Sequence, residues 1–229
     1  MTATTNNITI IFLTANKVPK KWAEFHKEKL IEAAGDVPII TISREPMDWG
    51  INLLDTEPYT PSNIYFQLFR GAKEATTEYV AMAEDDTLYP KEHFEYRPPM
   101  DTFAYNMNRF GVFRWSSKPT YFWKDRISNS TLVAPRKLAI ETLEERFNKY
   151  PNGTSNQLTG ELGRQNVEEK LGLTRRKMVW FSTDTSVVRI DHEYGIDDFA
   201  RTHRKRMGIL RAYDIPYWGK AEDLIKKFE

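Results

Sequence analysis

The sequence of 229 residues contains no cysteine, which excludes disulfide bonds, thiolate zinc sites and cysteine nucleophiles. It has no apolar run near the roughly 20 residues that a membrane-spanning helix needs, so we expect no stable membrane insertion. The formal net charge is only +1, so a general attraction to polyanions is not expected. The first residues, Met1 to Asn7, lack the basic side chains of an export signal. These absences predict a soluble, cytoplasmic protein.

An apolar run that ends in three acids is the most informative feature that is present. Tyr79 to Ala83 has the length and composition of a buried strand, and Glu84, Asp85 and Asp86 follow it directly. Because adjacent carboxylates repel one another, a positive group is expected beside them. A divalent cation that holds a phosphorylated ligand suits such oxygens. The alternative is an acidic turn that opens a loop.

The order of elements predicts an α/β protein. A strand at residues 8–13, an amphipathic helix at 18–34 and a strand at 37–42 indicate a parallel sheet with a right-handed crossover. Residues 44–61 are expected to form a loop, and Ser62 to cap a helix over 63–75. Short alternating segments over 101–131 predict antiparallel strands. Further helices are predicted at 135–149 and 160–171, and one or two strands at 178–190.

Residues 63–86 carry a resemblance to a known family. Arg70 on the helix, Ala75, Glu78-Tyr79 and then the acidic triplet match the pattern that precedes the Asp-x-Asp motif in GT-A nucleotide-sugar glycosyltransferases. The resemblance implies a GT-A fold with a central, mixed and mostly parallel sheet and a smaller antiparallel half. It divides one domain into a nucleotide-binding half (about 8–95), an acceptor half (about 96–195) and a basic extension (196–229).

The resemblance also implies a donor site. A Mn²⁺ or Mg²⁺ ion would be held by Asp86, with Glu84 in place of the usual first Asp of the motif. A third ligand is expected from His192, with His203 as the second choice. The nucleotide sugar would lie over the carboxyl ends of the first strands. The residues expected to bind it are Thr14, Ala15, Asn16, Arg44, Arg70 and Asp85. For Arg70, an ion pair with Glu74 is the alternative.

An inverting enzyme of this family needs a carboxylate base, and the resemblance points to Glu161, with Asp184 and Asp191 as fallback candidates. A retaining enzyme would need no such base.

The C-terminal part is basic, with ten Lys or Arg against five acids from Lys170 to Arg211. The residues Arg201, His203, Arg204 and Arg206 are expected to form a lid over the diphosphate or to bind a polyanionic acceptor. A solvated helix face is the alternative.

The leading prediction is a metal-dependent glycosyltransferase that transfers a sugar, with a UDP-sugar as first candidate, to a hydroxyl acceptor. The acceptor would be a glycan, a small molecule or a hydroxylated base in DNA, the last in a bacterial or virus-infected cell. The alternatives are a nucleotidyltransferase and a non-catalytic nucleotide-sugar-binding module. The loop from Thr14 to Pro19 contains no glycine, which argues against a nucleotidyltransferase.

Overall fold

The computed structural model describes residues 7–114, 116–155, 158–192 and 210–229. The helices in these ranges are α1 (Lys20–Ala34), α2 (Asn63–Glu74), α3 (Lys91–Glu95), α4 (Arg136–Lys149), α5 (Gln165–Leu171) and α6 (Ala221–Phe228), with a short 3-10 helix at Asn129–Thr131. The strands are β1 (Ile8–Thr14), β2 (Ile39–Ser43), β3 (Ile51–Leu54), β4 (Tyr79–Glu84), β5 (Thr87–Leu88), β6 (Thr102–Asn106), β7 (Arg109–Phe113), β8 (Tyr121–Trp123), β9 (Leu132–Pro135), β10 (Lys177–Phe181), β11 (Val187–Asp191), β12 (Arg211–Ala212), β13 (Asp214–Ile215) and β14 (Gly219–Lys220).

The larger sheet confirms the predicted mixed, mostly parallel architecture. Within the described ranges it has seven strands in the order β10-β6-β9-β4-β1-β2-β3. Strand β1 pairs in parallel with β2 and β4, and β9 alone runs antiparallel to its neighbours β4 and β6. The carboxyl ends of β1, β2, β3 and β4 therefore meet at one edge of the sheet.

The hydrophobic core around the larger sheet is built on β1, a nearly continuous run of apolar residues. All seven residues of β1 are buried, as expected for a central strand covered on both faces. Ile8, Ile10 and Phe12 pack on one face with Leu30 of α1, whereas Ile11 packs on the other face among residues of α2 and α4. A Cβ atom at Gly71 of α2 would lie 2.6 Å from Ile11 Cγ2, so the missing side chain lets this helix approach the sheet closely.

The second, smaller sheet is mostly antiparallel, as predicted. Its strands in the described part of the chain follow the order β12-β8-β7-β11-β5, and only β7 and β11 pair in parallel. Strand β11 pairs with β5, the short strand that directly follows the acidic triplet. In this pairing Arg189 lies opposite Thr87. Helix α6 closes the core of this sheet, and its Phe228 packs on Trp22 of α1.

Several local predictions were wrong. The segment 44–61 contains strand β3, which pairs with β2 as a fourth parallel strand. Ser62 makes no side-chain cap, because its hydroxyl donates to the carbonyl of Thr154 instead. The helix predicted at 160–171 begins at Gln165, so Glu161 lies in the turn before it. In the described ranges, no helix is long and apolar enough to cross a membrane.

Candidate active site

The acidic triplet forms a turn that the surrounding core holds in place. Glu84 ends β4, and the backbone N–H of Asp85 donates to the carbonyl of Leu13 at 3.2 Å. The indole N–H of Trp22 donates to the carbonyl of Asp85 at 2.7 Å. The N–H of Ile190 donates to the carbonyl of Asp86 at 2.8 Å. Helix α1 and both sheets thus fix the backbone that carries the three carboxylates.

Arg189 lies among these carboxylates, a contact that the sequence analysis missed. Its Nε and Nη2 atoms are both 3.0 Å from Oδ2 of Asp86. Oε2 of Glu84 lies 3.8 Å from Nη1 of the same guanidinium, and Oδ1 of Asp191 lies 3.8 Å from its Nε. In the sequence, Arg189 was one of ten basic residues in a long segment. Its position three residues before His192 at the end of a strand was the signal that could have distinguished it.

Lys124 is a second basic residue at the site that the sequence analysis did not select. Its Nζ lies 2.6 Å and 2.8 Å from the two carboxylate oxygens of Asp191. Burial lowers the pKa of Lys124 to about 8, although Asp191 opposes this shift. Asp191, a fallback candidate for the base, is therefore engaged in an ion pair.

Burial and neighbouring charges give the three acids of the triplet different pKa values. Burial raises the pKa of Glu84 to about 7, in spite of Arg189. Burial, followed by the charge of Asp86, raises the pKa of Asp85 to about 6. Burial alone would raise the pKa of Asp86 too, but Arg189 and His192 outweigh it and hold this pKa well below its usual range. Asp86 is thus the permanently charged member of the triplet.

The loops after β1 and β2 meet beside Asp85. The hydroxyl of Thr14 donates to Oδ2 of Asp85 at 2.6 Å. Asn16 has a φ of 57°, in the left-handed region that asparagine tolerates better than most residues. Its Oδ1 accepts from the backbone N–H groups of Arg44 and Glu45 at 2.8 Å and 3.0 Å. Ala15 lies between Thr14 and Asn16 in this loop.

A buried carboxylate after β3, Asp55, organises the two predicted arginines. It is 2% exposed and accepts hydrogen bonds from Asn63 and Gln67 of α2 at 2.7 Å and 2.8 Å. Arg44 lies 3.2 Å and Arg70 3.5 Å from its oxygens. Arg70 therefore contacts Asp55, and it also donates to the carbonyl of Leu54 at 2.8 Å. Asp55 directly follows β3, and it was not predicted because that strand was expected to be part of a loop.

Tyr59 adds an aromatic ring to this edge. Lys17 Nζ lies 4.1 Å and Arg44 Cζ 5.9 Å from the centre of the ring. Burial raises the pKa of Tyr59 to about 12, and the charges of Asp85 and Asp86 add to the shift. The phenol ring therefore lies close to two basic side chains and within electrostatic range of the acidic triplet.

His192, the predicted third metal ligand, lies beside the acidic turn. Its Nε2 lies 3.5 Å from Oδ2 of Asp86, and its ring packs 5.0 Å from that of Phe228. Two cis ligands of one ion are separated by about 3 Å, given metal–ligand distances of about 2.1 Å, so this spacing fits a shared cation. Carboxylate and imidazole together suit Mn²⁺. Among the residues that the structure describes, however, no three His, Asp or Glu side chains converge as a complete metal site.

The other histidines have different environments. His26 is buried in α1, and its Nε2 lies 2.8 Å from the carbonyl oxygen of Thr87. Burial lowers the pKa of His26 to about 4 and that of His93 to about 3. His203 lies outside the described residues, as do Arg201, Arg204 and Arg206.

Glu161 lies in the turn that precedes α5. Its Oε2 is 3.1 Å from Nη1 of Arg164, at a partly exposed position. The neighbouring carbonyl of Leu162 accepts a hydrogen bond from the buried hydroxyl of Tyr105 at 2.8 Å. No hydrogen bond or ion pair in the described part of the chain joins Glu161 to the acidic turn. Asp184 is exposed in the loop between β10 and β11.

The basic run from Arg175 to Lys177, at the start of β10, is neutralised locally. Arg175 pairs with Glu169 at 2.8 Å and Arg176 with Glu145 at 2.6 Å. Lys177 pairs with Asp101 at 2.5 Å. This part of the predicted basic surface therefore has acidic partners of its own.

Comparison with known proteins gives no family assignment. No family model matches the chain, and no curated protein matches it. Among solved structures, it is similar to a glycosyltransferase involved in glycosylation of the major capsid of PBCV-1, with 13% identity, a TM-score of 0.47 and coverage of 80% of this chain and 92% of that chain. It is also similar to a nucleotidyl transferase from Methanothermobacter thermautotroptrophicus, with 14% identity, a TM-score of 0.46 and coverage of 79% and 88%.

A third similar structure is a mannosyltransferase from Pyrobaculum calidifontis in complex with GDP-Man and Mn²⁺. Here the identity is 14%, the TM-score is 0.46, and the coverage is 83% of this chain and 58% of that chain. The similar structures include the class that residues 63–86 resemble and the class kept as an alternative. Because these TM-scores are all below 0.5, they do not decide the function.

Proposed function

We propose that the protein is a metal-dependent glycosyltransferase that moves a sugar from a nucleoside diphosphate sugar, with a UDP-sugar as first candidate, to a hydroxyl acceptor. The observation that carries the proposal is the shared edge of the larger sheet. A buried acidic turn, the loops after β1 and β2, and His192 from beyond β11 all lie there. In open α/β sheets, ligands bind at this edge.

The donor nucleotide would bind on the side of β1 to β3. The ring of Tyr59, close to Lys17 and Arg44, offers a stacking surface for the base, and the two cations suit phosphate oxygens. Asn16 holds the backbone of Arg44 by its side-chain carbonyl, and Asp55 holds the guanidinium. We therefore assign Thr14, Ala15 and Asn16 to the loop beneath the nucleotide, Arg44 and Arg70 to its phosphate side, and Asp85 to the ribose or sugar.

The residues that would hold a Mn²⁺ or Mg²⁺ ion are Asp86, His192 and Glu84. Asp86 stays ionised and shares its Oδ2 with His192, whereas Glu84 extends toward Arg189. Substrate phosphates commonly supply the remaining ligands of such ions. When bound, the cation neutralises the charge that develops on the departing diphosphate. An imidazole ligand favours Mn²⁺ over Mg²⁺.

For an inverting reaction, Glu161 would remove the proton of the acceptor hydroxyl. Its carboxylate is partly exposed and forms a weak ion pair with Arg164 at the surface. The proposal therefore places the acceptor on the side of α5, in the half formed by residues 96–195. Arg201, His203, Arg204 and Arg206 would close over the donor or contact the acceptor.

The acceptor is a glycan or small molecule in the first instance, because Arg175, Arg176 and Lys177 are already paired with acids. A hydroxylated base in DNA, in a bacterial or virus-infected cell, is the second candidate. Transfer to DNA should fall steeply between 50 and 200 mM salt, since phosphate contacts release counterions. Transfer to an uncharged acceptor should change little over the same range.

A thermal-shift screen tests the donor site. Uridine, guanosine, cytidine and thymidine diphosphate sugars are each added with and without Mn²⁺ to the wild type, to Asp86→Ala and to the remote, exposed control Asp36→Ala. A metal-dependent rise in melting temperature with one nucleotide, absent in Asp86→Ala and retained in Asp36→Ala, is expected. No response to any nucleotide would refute the proposal.

Two alternatives give different results in a product assay. A nucleotidyltransferase would release pyrophosphate from a nucleoside triphosphate and a sugar phosphate. A non-catalytic binding module would bind the nucleotide sugar and leave it unchanged with every acceptor. The glycosyltransferase should release a nucleoside diphosphate only when a hydroxyl acceptor is present.

A further inference from the structure

Arg189 and His192 approach the same oxygen atom of Asp86. Two nitrogen atoms of the guanidinium lie 3.0 Å from Oδ2, and His192 Nε2 lies 3.5 Å from it. The Asp86 side chain is only 6% exposed, so water does little to weaken its ion pair with Arg189. The negative charge on Oδ2 of Asp86, the oxygen that a cation would bind, is therefore already neutralised by Arg189.

We propose that Arg189 is an internal counter-ion that makes cation binding depend on the diphosphate of the donor. In the free protein, Arg189 occupies Oδ2 of Asp86. When a diphosphate is present, the guanidinium gains a second anionic partner and yields this oxygen to the cation. The inference rests on the proposed function, because it assigns the cation to Asp86 and the diphosphate to the same edge of the sheet.

The electrostatic argument has two parts. A divalent ion close to Asp86 would lie within a few ångströms of a guanidinium charge, which repels it in a partly buried site. Separating Arg189 from Asp86 without replacement would also leave a desolvated cation whose remaining acidic partners, among the residues that the structure describes, are the more distant Glu84 and Asp191. Both costs oppose binding of the cation alone.

A diphosphate removes both costs. Its negative charges offset the repulsion between the ion and Arg189, and its oxygen atoms suit the planar fork of a guanidinium. The Arg189 side chain is 27% exposed, so part of it can be reached from solvent. The cation and the diphosphate should therefore bind cooperatively, each with low affinity alone.

Lys124 provides a matched control. It contributes a positive charge to the same cluster, but it pairs with Asp191 at 2.6 Å rather than with Asp86. If total charge alone governed cation binding, Lys124→Gln and Arg189→Gln would act alike. If the contact with Asp86 governs it, only Arg189→Gln should have a large effect.

The test measures Mn²⁺ binding to the full chain by water proton relaxation, without nucleotide and with UDP or GDP. For the wild type, we expect either UDP or GDP to increase Mn²⁺ affinity at least tenfold. Without nucleotide, Arg189→Gln should bind Mn²⁺ at least tenfold more tightly than the wild type, and its gain from nucleotide should fall below threefold. Lys124→Gln should stay within threefold of the wild type in both conditions.

Arg189→Lys keeps the charge but removes the fork, which protects the test against a misfolded Gln variant. It should bind Mn²⁺ alone as weakly as the wild type, with a smaller gain from nucleotide. Circular dichroism melting confirms that each variant is folded. Suppose that the wild type binds Mn²⁺ with nucleotide, and that Arg189→Gln and Arg189→Lys show the same Mn²⁺ affinity as the wild type and the same increase on addition of nucleotide. The inference is then wrong and the proposed function stands. If the wild type binds no Mn²⁺ with either nucleotide, both are wrong.

Discussion

The indole nitrogen of Trp22 and the carbonyl oxygen of Asp85 lie 2.7 Å apart, so a core residue of α1 holds the acidic turn by a hydrogen bond. Trp22 is fully buried and packs on Phe25 and Phe228. The turn that carries the candidate ligands is thus fixed by the hydrophobic core, beneath the surface where a substrate would bind.

Trp22→Phe should keep the aromatic packing and remove this hydrogen bond. We expect a loss of about 2 kcal/mol in the free energy of unfolding, from an unsatisfied carbonyl and a small cavity. Nucleotide binding with Mn²⁺ should weaken as well, because the turn loses an anchor. Urea unfolding and titration calorimetry measure the two effects.

Trp49→Phe is the matched control for that substitution. Trp49 is also buried, but its ring contacts Phe12 and Lys27, and among the described residues its indole N–H makes no hydrogen bond to the acidic turn. A similar loss of stability without a change in nucleotide affinity is expected. Equal losses of affinity in both variants would show that the hydrogen bond has no specific role.

Asp55→Asn should be costly for both stability and binding. The buried carboxylate accepts from two amide donors and faces two arginines. In an asparagine, the NH₂ group that replaces one carboxylate oxygen would face these N–H donors and could not accept from them. Breaking such a buried arrangement should cost about 3 kcal/mol in the free energy of unfolding. Arg44 would lose its fixed position, so nucleotide affinity should fall at least fivefold. Glu57→Gln, an exposed change two residues further along, should leave both quantities unchanged in the same assays.

His93→Phe should reduce the loss of stability in mild acid. Burial lowers the pKa of His93 to about 3, so the folded protein keeps it neutral while the unfolded chain binds a proton below about pH 6.5. Stability is therefore complete above pH 6.5 and falls as the pH drops toward 3. His93 should account for about 2 kcal/mol of the loss between pH 6.5 and pH 5, at about 1.4 kcal/mol per pH unit.

The measurement is urea unfolding of wild type and His93→Phe at pH 7 and pH 5. His93 stacks on Phe181, so a phenyl ring suits the site. Phe94→Leu, a core change at the next position, should lower stability equally at both pH values. An unchanged difference between the two pH values in His93→Phe would mean that the histidine does not stay neutral in the fold.

Glu161→Gln should slow transfer about 100-fold or more and leave the fold intact. Within the described ranges, the Glu161 carboxylate forms one ion pair, with the partly exposed Arg164, and such pairs contribute at most about 1 kcal/mol. As the base of an inverting reaction, Glu161 should contribute about 100-fold or more to the rate. Glu169→Gln, which removes a comparable exposed pair with Arg175, should retain full activity. Retained activity in Glu161→Gln would indicate a retaining reaction or another base.

Local sequence patterns were sufficient for the central elements. The strands at 8–13 and 79–83 and the helix at 63–75 were predicted to within one residue at each end. The parallel pairing of β1 with β2 and β4 places the ends of these strands at one edge of the sheet, which is where the nucleotide was expected. Strand β3 was missed because its four residues lie between prolines and are only partly buried.

The amino-acid sequence by itself determined the α/β class, the buried strand and the three acids at its end. The reason is that the spacing of apolar residues and the succession of strands and helices can be read directly along the chain. Only the tertiary structure decided which charges meet. Asp86 and Arg189 are 103 residues apart in the chain, and β11 brings them together by pairing with β5. Since such contacts depend on strand pairing over long separations, the counter-ions of the acidic turn could not be read from the sequence.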